Sequence, residues 1–151
     1  VEDMVAEGVE FDCVMCLEVV EHVRNPADFC SGLGSLARVG GKLVMSTMNR
    51  TPLSYGLAIL GAEYIANIVP RGTHDWERFV TPEELTLMVE DGGMELCQMA
   101  GMTYNLLTRR WSLNDDLRVN YIASFVKGVQ MEGALRTDSA LSSSDTLPQP
   151  A

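Results

Sequence analysis

A short apolar run, Phe11–Leu17, stands out in the hydrophobic pattern, and Glu18, Glu21 and His22 follow it directly. A run of this length, rich in Val, Met and Cys, predicts a strand that is buried on both faces. The polar cluster then lies at the carboxyl end of the strand, where ligands bind in open α/β sheets. If a helix begins at Glu18, the three side chains share one face and are able to hold a divalent ion or transfer a proton. The alternative is a solvated first turn whose acids are favoured by the helix dipole.

The next elements complete a strand–helix–strand unit. Asn25 and Pro26 predict a helix start, with Asn25 as the N-cap and proline at the first helical position. We expect this helix to run to about Arg38 and to stop before a pair of glycines. A second buried strand, Lys42–Met48, follows. Two strands joined by a helix are predicted to be parallel.

The later part of the chain predicts one more helix and two more strands. Thr81 and Glu84 have the spacing of a capping box, and the helix that they begin should end at Gly92. Met94–Met102 and Asn120–Lys127 read as strands. No crossover helix is predicted between them, so we expect these two strands to be antiparallel.

An apolar segment at residues 53–69 is the least ordinary stretch of the chain. Its few clearly polar positions leave a helix that is apolar almost all round. Three interpretations remain open: burial in its own domain, contact with a hydrophobic substrate or a membrane, and a dimer face. Arg50 and Arg71 flank the segment and suit anionic headgroups.

Composition narrows the class of protein. A chain of 151 residues forms one domain at most, and its net charge of −10 argues against a nucleic-acid partner. Cys13 and Cys16 have the spacing of a redox or zinc motif, but residues three apart on a strand point to opposite faces, so we interpret them as core residues. The Ser, Pro and Thr content predicts a disordered tail at residues 128–151, after a domain at residues 1–127.

Several segments together resemble one family, the UbiG-type O-methyltransferases of ubiquinone biosynthesis, in the mitochondrial version. The match covers residues 1–127, in order and at the right spacings, and its main segments are LEVVEHV at 17–23, RVGG at 38–41, STMNR at 46–50, GAEYI at 61–65, PRGTHDW at 70–76, FVTPEEL at 79–85, GMTYN at 101–105 and VNYIA at 119–123. The resemblance implies an α/β fold, namely part of the Rossmann-like sheet of a class I methyltransferase, with parallel strands and a carboxyl-terminal antiparallel pair.

The resemblance also implies the chemistry. The family methylates a catechol-type hydroxyl of a polyprenyl dihydroxybenzoate, and later of demethylubiquinol, with S-adenosylmethionine as methyl donor. It implies a metal site at Glu18, Glu21 and His22, with Mg²⁺ as the expected ion. It also implies that His22 acts as a general base. Ligand and base are competing roles for His22, and His74 is the second candidate base.

For the cofactor, the resemblance implies that Leu17 touches the methionine part and that Glu2 and Asp3 lie near the adenine. The family's glycine-rich loop and three of its seven strands have no counterpart in these 151 residues. We therefore expect a fragment that binds the cofactor weakly and has little activity on its own.

The family's setting gives further expectations. Its members are peripheral membrane proteins, so we expect a location on the matrix side of the mitochondrial inner membrane and a lipid contact through residues 53–69. We also expect other ubiquinone-biosynthesis proteins as partners. The alternative function is a truncated, non-catalytic membrane-associated or assembly partner in the ubiquinone-synthesis complex.

Overall fold

A computed structural model describes residues 1–57, 75–105 and 107–128 of the chain. Its helices and strands are, in chain order, α1 (Glu2–Ala6), β1 (Phe11–Leu17), α2 (Pro26–Leu36), β2 (Ala37–Met48), the single turn α3 (Pro52–Ser54), α4 (Pro82–Asp91), β3 (Met94–Asn105), β4 (Arg110–Asn114) and β5 (Asn120–Lys127). Two 3₁₀ turns, Val20–His22 and Trp76–Arg78, lie between them. The apolar segment predicted at 53–69 falls mostly outside the described residues, as does the predicted tail after residue 128, and both stay predictions.

The strands form one mixed sheet in the order β1-β2-β5-β3-β4. Strand β1 is parallel to β2, as the strand–helix–strand pattern predicts. Strand β5 is antiparallel to both β2 and β3, which confirms the predicted antiparallel pair. Because the carboxyl ends of β1 and β2 meet at the same edge of the sheet, the residues after Leu17 lie beside the last residues of β2.

One face of the sheet carries the core. Along β5 the side chains alternate between fully buried and half-buried positions, as expected for a strand with one packed face. Helices α2 and α4 cover that face. The buried apolar side chains from strands and helices include Leu33, Leu43, Met45, Leu85, Val89, Tyr121, Ala123 and Phe125.

Strand β1 has the predicted bounds, but the prediction that it is buried on both faces is wrong. Only Cys16 is fully buried, and Met15 and Leu17 are exposed. These side chains are exposed because β1 is the edge strand of the described sheet and no described element packs on its second face. Cys13 is exposed while Cys16 is buried, so the two thiols do point to opposite faces.

Two other strands are longer than their patterns predict. Strand β2 begins at Ala37 rather than at Lys42, and α2 accordingly ends at Leu36, two residues before the expected Arg38. The glycine pair therefore lies inside a strand, where Gly40 takes a φ of 75° that glycine adopts at little cost. Strand β3 extends to Asn105, and the stretch after it returns as the hairpin strand β4.

The predicted helix starts are confirmed. The Asn25 side chain accepts a hydrogen bond from the backbone of Asp28, and Thr81 and Glu84 form the reciprocal capping box. Helix α4 ends at Asp91 with Gly92 as its C-cap. Within the parts of the chain that the structure describes, no helix is long and apolar enough to cross a bilayer.

Candidate functional site

The chain leaves β1 through a sharp turn at Glu18. Glu18 has a φ of 54°, in the left-handed region that non-glycine residues enter at a cost of about 1–2 kcal/mol. Its backbone N–H donates to the carbonyl of Ser46 (2.9 Å), and the Ser46 hydroxyl donates to Oε1 of Glu18 (2.7 Å). The expectation of an α-helix beginning at Glu18 is therefore wrong. The hydrogen bonds to β2 hold Glu18 in a turn instead.

Glu21 follows in the 3₁₀ turn Val20–His22 and is almost completely buried. Its side chain is 5% exposed, and Oε2 accepts a hydrogen bond from the Thr47 hydroxyl (2.9 Å). Burial, and after it the negative charge of Glu21, raises the pKa of the Cys16 thiol to about 11. The Glu21 carboxylate therefore lies on the core side of the sheet, where Cys16 and Thr47 are buried.

The two carboxylates are held on different sides of β2. Ser46 and Thr47 are consecutive strand residues, so their hydroxyls point to opposite faces of the sheet. Glu18 bonds to one hydroxyl and Glu21 to the other. Consistent with this separation, the described residues contain no group of three His, Cys, Asp or Glu side chains placed to hold a metal ion. The predicted metal ligands Glu18, Glu21 and His22 are therefore not brought together in the described structure.

His22 is the open member of the cluster. Its side chain is 58% exposed, and its Nε2 atom lies 4.0 Å from Oε1 of Glu21. Thr47, Glu21 and His22 thus form a chain of contacts from a buried hydroxyl to an accessible imidazole. An imidazole beside a fixed carboxylate can accept a proton from a substrate hydroxyl, because the carboxylate stabilises the imidazolium that forms.

The three predicted cofactor residues lie in two places. Leu17 is exposed at the end of β1, in register with Ser46 of β2. Glu2 and Asp3 are exposed on α1, a helix that contacts α2. The contact of Leu17 with the methionine part of S-adenosylmethionine stays a prediction. For Glu2 and Asp3 the structure adds no contact that bears on a cofactor, and their role stays a prediction.

Sequence reasoning assigned no role to the hydroxyls of Ser46 and Thr47. Both residues are buried in β2, where they interrupt the apolar run between Leu43 and Met48. Buried polar side chains need hydrogen-bond partners. The two polar residues in this run were therefore the sequence signal for buried hydrogen bonds, but they do not indicate which side chains accept those bonds. His74, the second candidate base, lies outside the described residues.

A cavity of about 400 Å³ opens beyond the carboxyl end of β2. Arg50 follows β2 and pairs with Glu84 of α4, and the backbone N–H of Val80 donates to the carbonyl of Met48 (3.2 Å). The walls are mainly apolar and include Pro26, Phe79, Val80, Leu87 and Met88. This volume lies within the range of small-molecule sites.

The architecture is that of the class I S-adenosylmethionine-dependent methyltransferases, as the resemblance implies. A SAM-dependent methyltransferase from Thermotoga maritima, described as a possible histamine N-methyltransferase, aligns with 79% of this chain and 58% of its own, with a TM-score of 0.56 and 13% identity. Magnesium protoporphyrin IX methyltransferase from Synechocystis PCC 6803, solved with SAH, aligns with 83% of this chain and 49% of its own, with a TM-score of 0.50 and 24% identity. At such identities the likeness shows the fold alone.

Within that class, the chain is similar in sequence to the ubiquinone biosynthesis O-methyltransferases. The mitochondrial enzyme of that name from Arabidopsis thaliana is 48% identical over 122 residues, which are 81% of this chain and 38% of the relative. The Dinoroseobacter shibae enzyme is 45% identical over 127 residues, 83% of this chain and 51% of the relative. The chain thus spans about half, or less, of the relatives that it matches. No family model matches it.

Proposed function

We propose that this chain contributes part of the active centre of an S-adenosylmethionine-dependent O-methyltransferase of ubiquinone biosynthesis. The substrates proposed are the catechol-type hydroxyls of a polyprenyl dihydroxybenzoate and of demethylubiquinol. The observation that carries the proposal is the Thr47–Glu21–His22 chain of contacts at the carboxyl end of β1 and β2, in a sequence related to that family. The relatives do not favour the alternative of a non-catalytic assembly partner, because they are named as enzymes.

The chemistry requires activation of the substrate hydroxyl. A phenolic hydroxyl has an ordinary pKa of about 10 and is a poor nucleophile at neutral pH. We propose that His22 accepts this proton while Glu21, fixed by Thr47, stabilises the protonated imidazole. Bound S-adenosylmethionine supplies an electrophilic sulfonium methyl group. The protein's further contribution is orientation, with exposed Leu17 against the methionine part of the cofactor.

The mainly apolar cavity offers a place for the substrate ring or the first part of its prenyl tail. Its walls supply apolar contact, and Arg50 at its margin is held by Glu84 and by the carbonyl of Glu77. We assign the prenylated aromatic substrate to this cavity because Arg50, which lines it, follows Thr47 by three residues at the carboxyl end of β2. Variants of Leu87 and Met88 that narrow the cavity are expected to raise KM for prenylated substrates more than for the unprenylated ring.

The test is methyl transfer to a prenylated dihydroxybenzoate by the natural protein that carries this sequence. His22→Asn is expected to lower kcat about 100-fold, the contribution of a positioned general base, and to change the pH dependence of kcat. Arg24→Gln is the matched control, since Arg24 is an exposed residue two positions away. If His22→Asn retains the kcat and the pH profile of Arg24→Gln, the assignment of His22 is wrong.

Metal assistance is a separate part of the proposal. Mg²⁺ at Glu18, Glu21 and His22 requires the Val20–His22 turn to bring together carboxylates that the structure holds apart. Calorimetric titration of the chain with Mg²⁺, compared with a Glu18→Gln variant, tests this set directly. Equal heats for the two chains would reject it.

We also propose the cellular setting that the resemblance implies: the matrix side of the mitochondrial inner membrane, with a lipid contact through residues 53–69 and other ubiquinone-biosynthesis proteins as partners. Support comes from the Arabidopsis relative, which is described as mitochondrial. Fractionation of mitochondria, with carbonate extraction and protease protection, tests the location. Release of the protein into the intermembrane space would contradict it.

A further inference from the structure

The cavity beyond β2 is lined by two arginines as well as by its apolar walls. Arg50 comes from the residues after β2, and Arg78 comes from the 3₁₀ turn Trp76–Arg78. Among the described residues that line the cavity, Glu84 of α4 is the only acid. Guanidinium groups at a mainly apolar cavity favour a ligand that is part anion and part hydrocarbon.

Glu84 does not neutralise both arginines. Its Oε1 atom accepts a hydrogen bond from Arg50, and its Oε2 atom accepts one from the backbone N–H of Thr81 (2.9 Å). Both carboxylate oxygens are thus engaged, one by Arg50 and the other within the capping box of α4. Two arginines against one glutamate leave an excess of positive charge on the described lining, in a chain whose net charge is −10.

The turn that carries Arg78 is held in place by hydrogen bonds. The Trp76 indole donates to the carbonyl of Thr51 (3.0 Å). Arg50 donates to the carbonyl of Glu77 (3.3 Å), so its guanidinium lies against the residue next to Arg78. The two arginines are therefore positioned near each other before a ligand binds, which lowers the entropic cost of binding.

The ion pair between Arg78 and Asp75 is weak. The Nε atom of Arg78 lies 3.4 Å from Oδ2 of Asp75, and the two side chains are 56% and 61% exposed. An ion pair between side chains this exposed contributes little, because water screens it. A ligand carboxylate whose ring is covered by the apolar walls is screened less, and the planar guanidinium binds two carboxylate oxygens at once. Arg78 is therefore able to exchange Asp75 for such a ligand.

We propose that Arg78 binds the ring carboxylate of the polyprenyl dihydroxybenzoate and so distinguishes this substrate from those that lack the group. This assignment rests on the proposed function and on the placement of the substrate ring in this cavity. Of the two substrates proposed above, the dihydroxybenzoate carries a carboxylate, whereas the ring of demethylubiquinol carries none. Arg50 adds positive charge beside Arg78 but is held by Glu84, so Arg78 is the residue that determines specificity.

The contact at Arg78 is separate from the proposed proton transfer at His22. The carboxylate takes no part in methyl transfer, so its contact with Arg78 contributes to substrate binding. Losing the contact should therefore raise KM for the carboxylated substrate and change kcat little.

The first test compares two substrates that differ only in the carboxylate, geranyl dihydroxybenzoate and geranyl catechol. In the natural protein that carries this sequence, Arg78→Gln is expected to raise KM about tenfold more for the first than for the second. A tenfold effect corresponds to the loss of one hydrogen bond to a charged group. Arg78→Lys keeps the charge but cannot bind both oxygens in a planar fork, so its effect should be intermediate.

Arg38→Gln is the matched control. Arg38 is 53% exposed, against 56% for Arg78, and it too pairs with an exposed aspartate, Asp12. It lies near the amino end of β2, whereas the cavity opens beyond the carboxyl end. Arg38→Gln is expected to leave the ratio of the two KM values unchanged. If Arg78→Gln shifts this ratio no more than Arg38→Gln does, the proposed carboxylate contact is wrong.

The second test measures binding alone, so it separates the carboxylate contact from the proposed function. Isothermal titration calorimetry without S-adenosylmethionine gives the dissociation constants of the same two compounds. The natural protein is expected to bind geranyl dihydroxybenzoate more tightly than geranyl catechol, and Arg78→Gln should reduce that preference about tenfold. A lost preference in a protein that transfers no methyl group would support the carboxylate contact and reject the proposed function. Active methyl transfer, with both compounds weakened equally by Arg78→Gln, would reject the contact and leave the proposed function standing.

Discussion

The buried hydrogen bond between Thr47 and Glu21 is the contact on which the proposed site depends most. Thr47 is fully buried, and its hydroxyl is 2.9 Å from a carboxylate that is 5% exposed. Thr47→Val keeps the shape of the side chain and removes the donor. A hydrogen bond to a charged group contributes about 1.5–3 kcal/mol, so we expect a loss of about 2 kcal/mol in the free energy of unfolding.

Urea denaturation followed by circular dichroism measures this loss. With a denaturant slope of about 1.5–2 kcal/mol per molar, the midpoint should fall by about 1 M and the slope should not change. Thr86→Val is the matched control, because the Thr86 hydroxyl donates to a backbone carbonyl of Pro82 (2.8 Å) and serves no carboxylate. We expect the control to lose less than about 1 kcal/mol.

A double substitution separates the hydrogen bond from general disturbance of the core. Replacing both partners by apolar groups of similar shape removes the buried charge together with its donor. Glu21→Met combined with Thr47→Val should therefore cost less than the sum of the two single variants. If Thr47→Val loses no more stability than Thr86→Val, or if the two single effects simply add, the reasoning is wrong.

Three further predictions concern the stability of the fold and the reactivity of its buried thiols. Thr81→Ala removes the capping box of α4 and should cost about 1 kcal/mol by urea denaturation. Gly101→Ala should prevent a normal two-state transition, because a Cβ there would overlap a backbone carbonyl, whereas Gly56→Ala, where a Cβ meets open space, should be tolerated. Burial raises the pKa of Cys16 to about 11 and that of Cys30 to about 12, so alkylation of both thiols should stay slow up to pH 10. Their contribution to stability is fully present below pH 9 and should be lost as the pH rises to about 11 for Cys16 and about 12 for Cys30.

Local patterns in the sequence were enough for the features that depend on a few neighbouring residues. The bounds of β1 and β5 match the apolar runs, and the Thr81 capping box is present as its spacing predicts. Burial of β1 was not predictable in the same way. A run that is apolar at every position except Asp12 is expected to have two packed faces, but packing depends on which elements lie beside the strand.

The conformation after β1 shows a second limit of structure prediction from sequence patterns. The sequence spacing of Glu18, Glu21 and His22 puts the three side chains on one face only if the backbone there is an α-helix. The structure instead bonds Glu18 to Ser46, a residue 28 positions away, through both backbone and side chain. That partner depends on the register of Leu17 with Ser46 in the parallel pair, which no local pattern encodes.

Two adjacent hydroxyls on β2 therefore decide what each acid is able to do. Thr47 holds Glu21 on the face covered by α2 and α4, where the carboxylate is buried and its nearest open neighbour is His22. Ser46 holds Glu18 on the other face, beside the exposed Leu17. The two carboxylates are thus held on opposite sides of one strand end. Because both hydrogen bonds start from residues 46 and 47, a shift of β2 by one residue relative to β1 would exchange the two faces and disrupt both hydrogen bonds together.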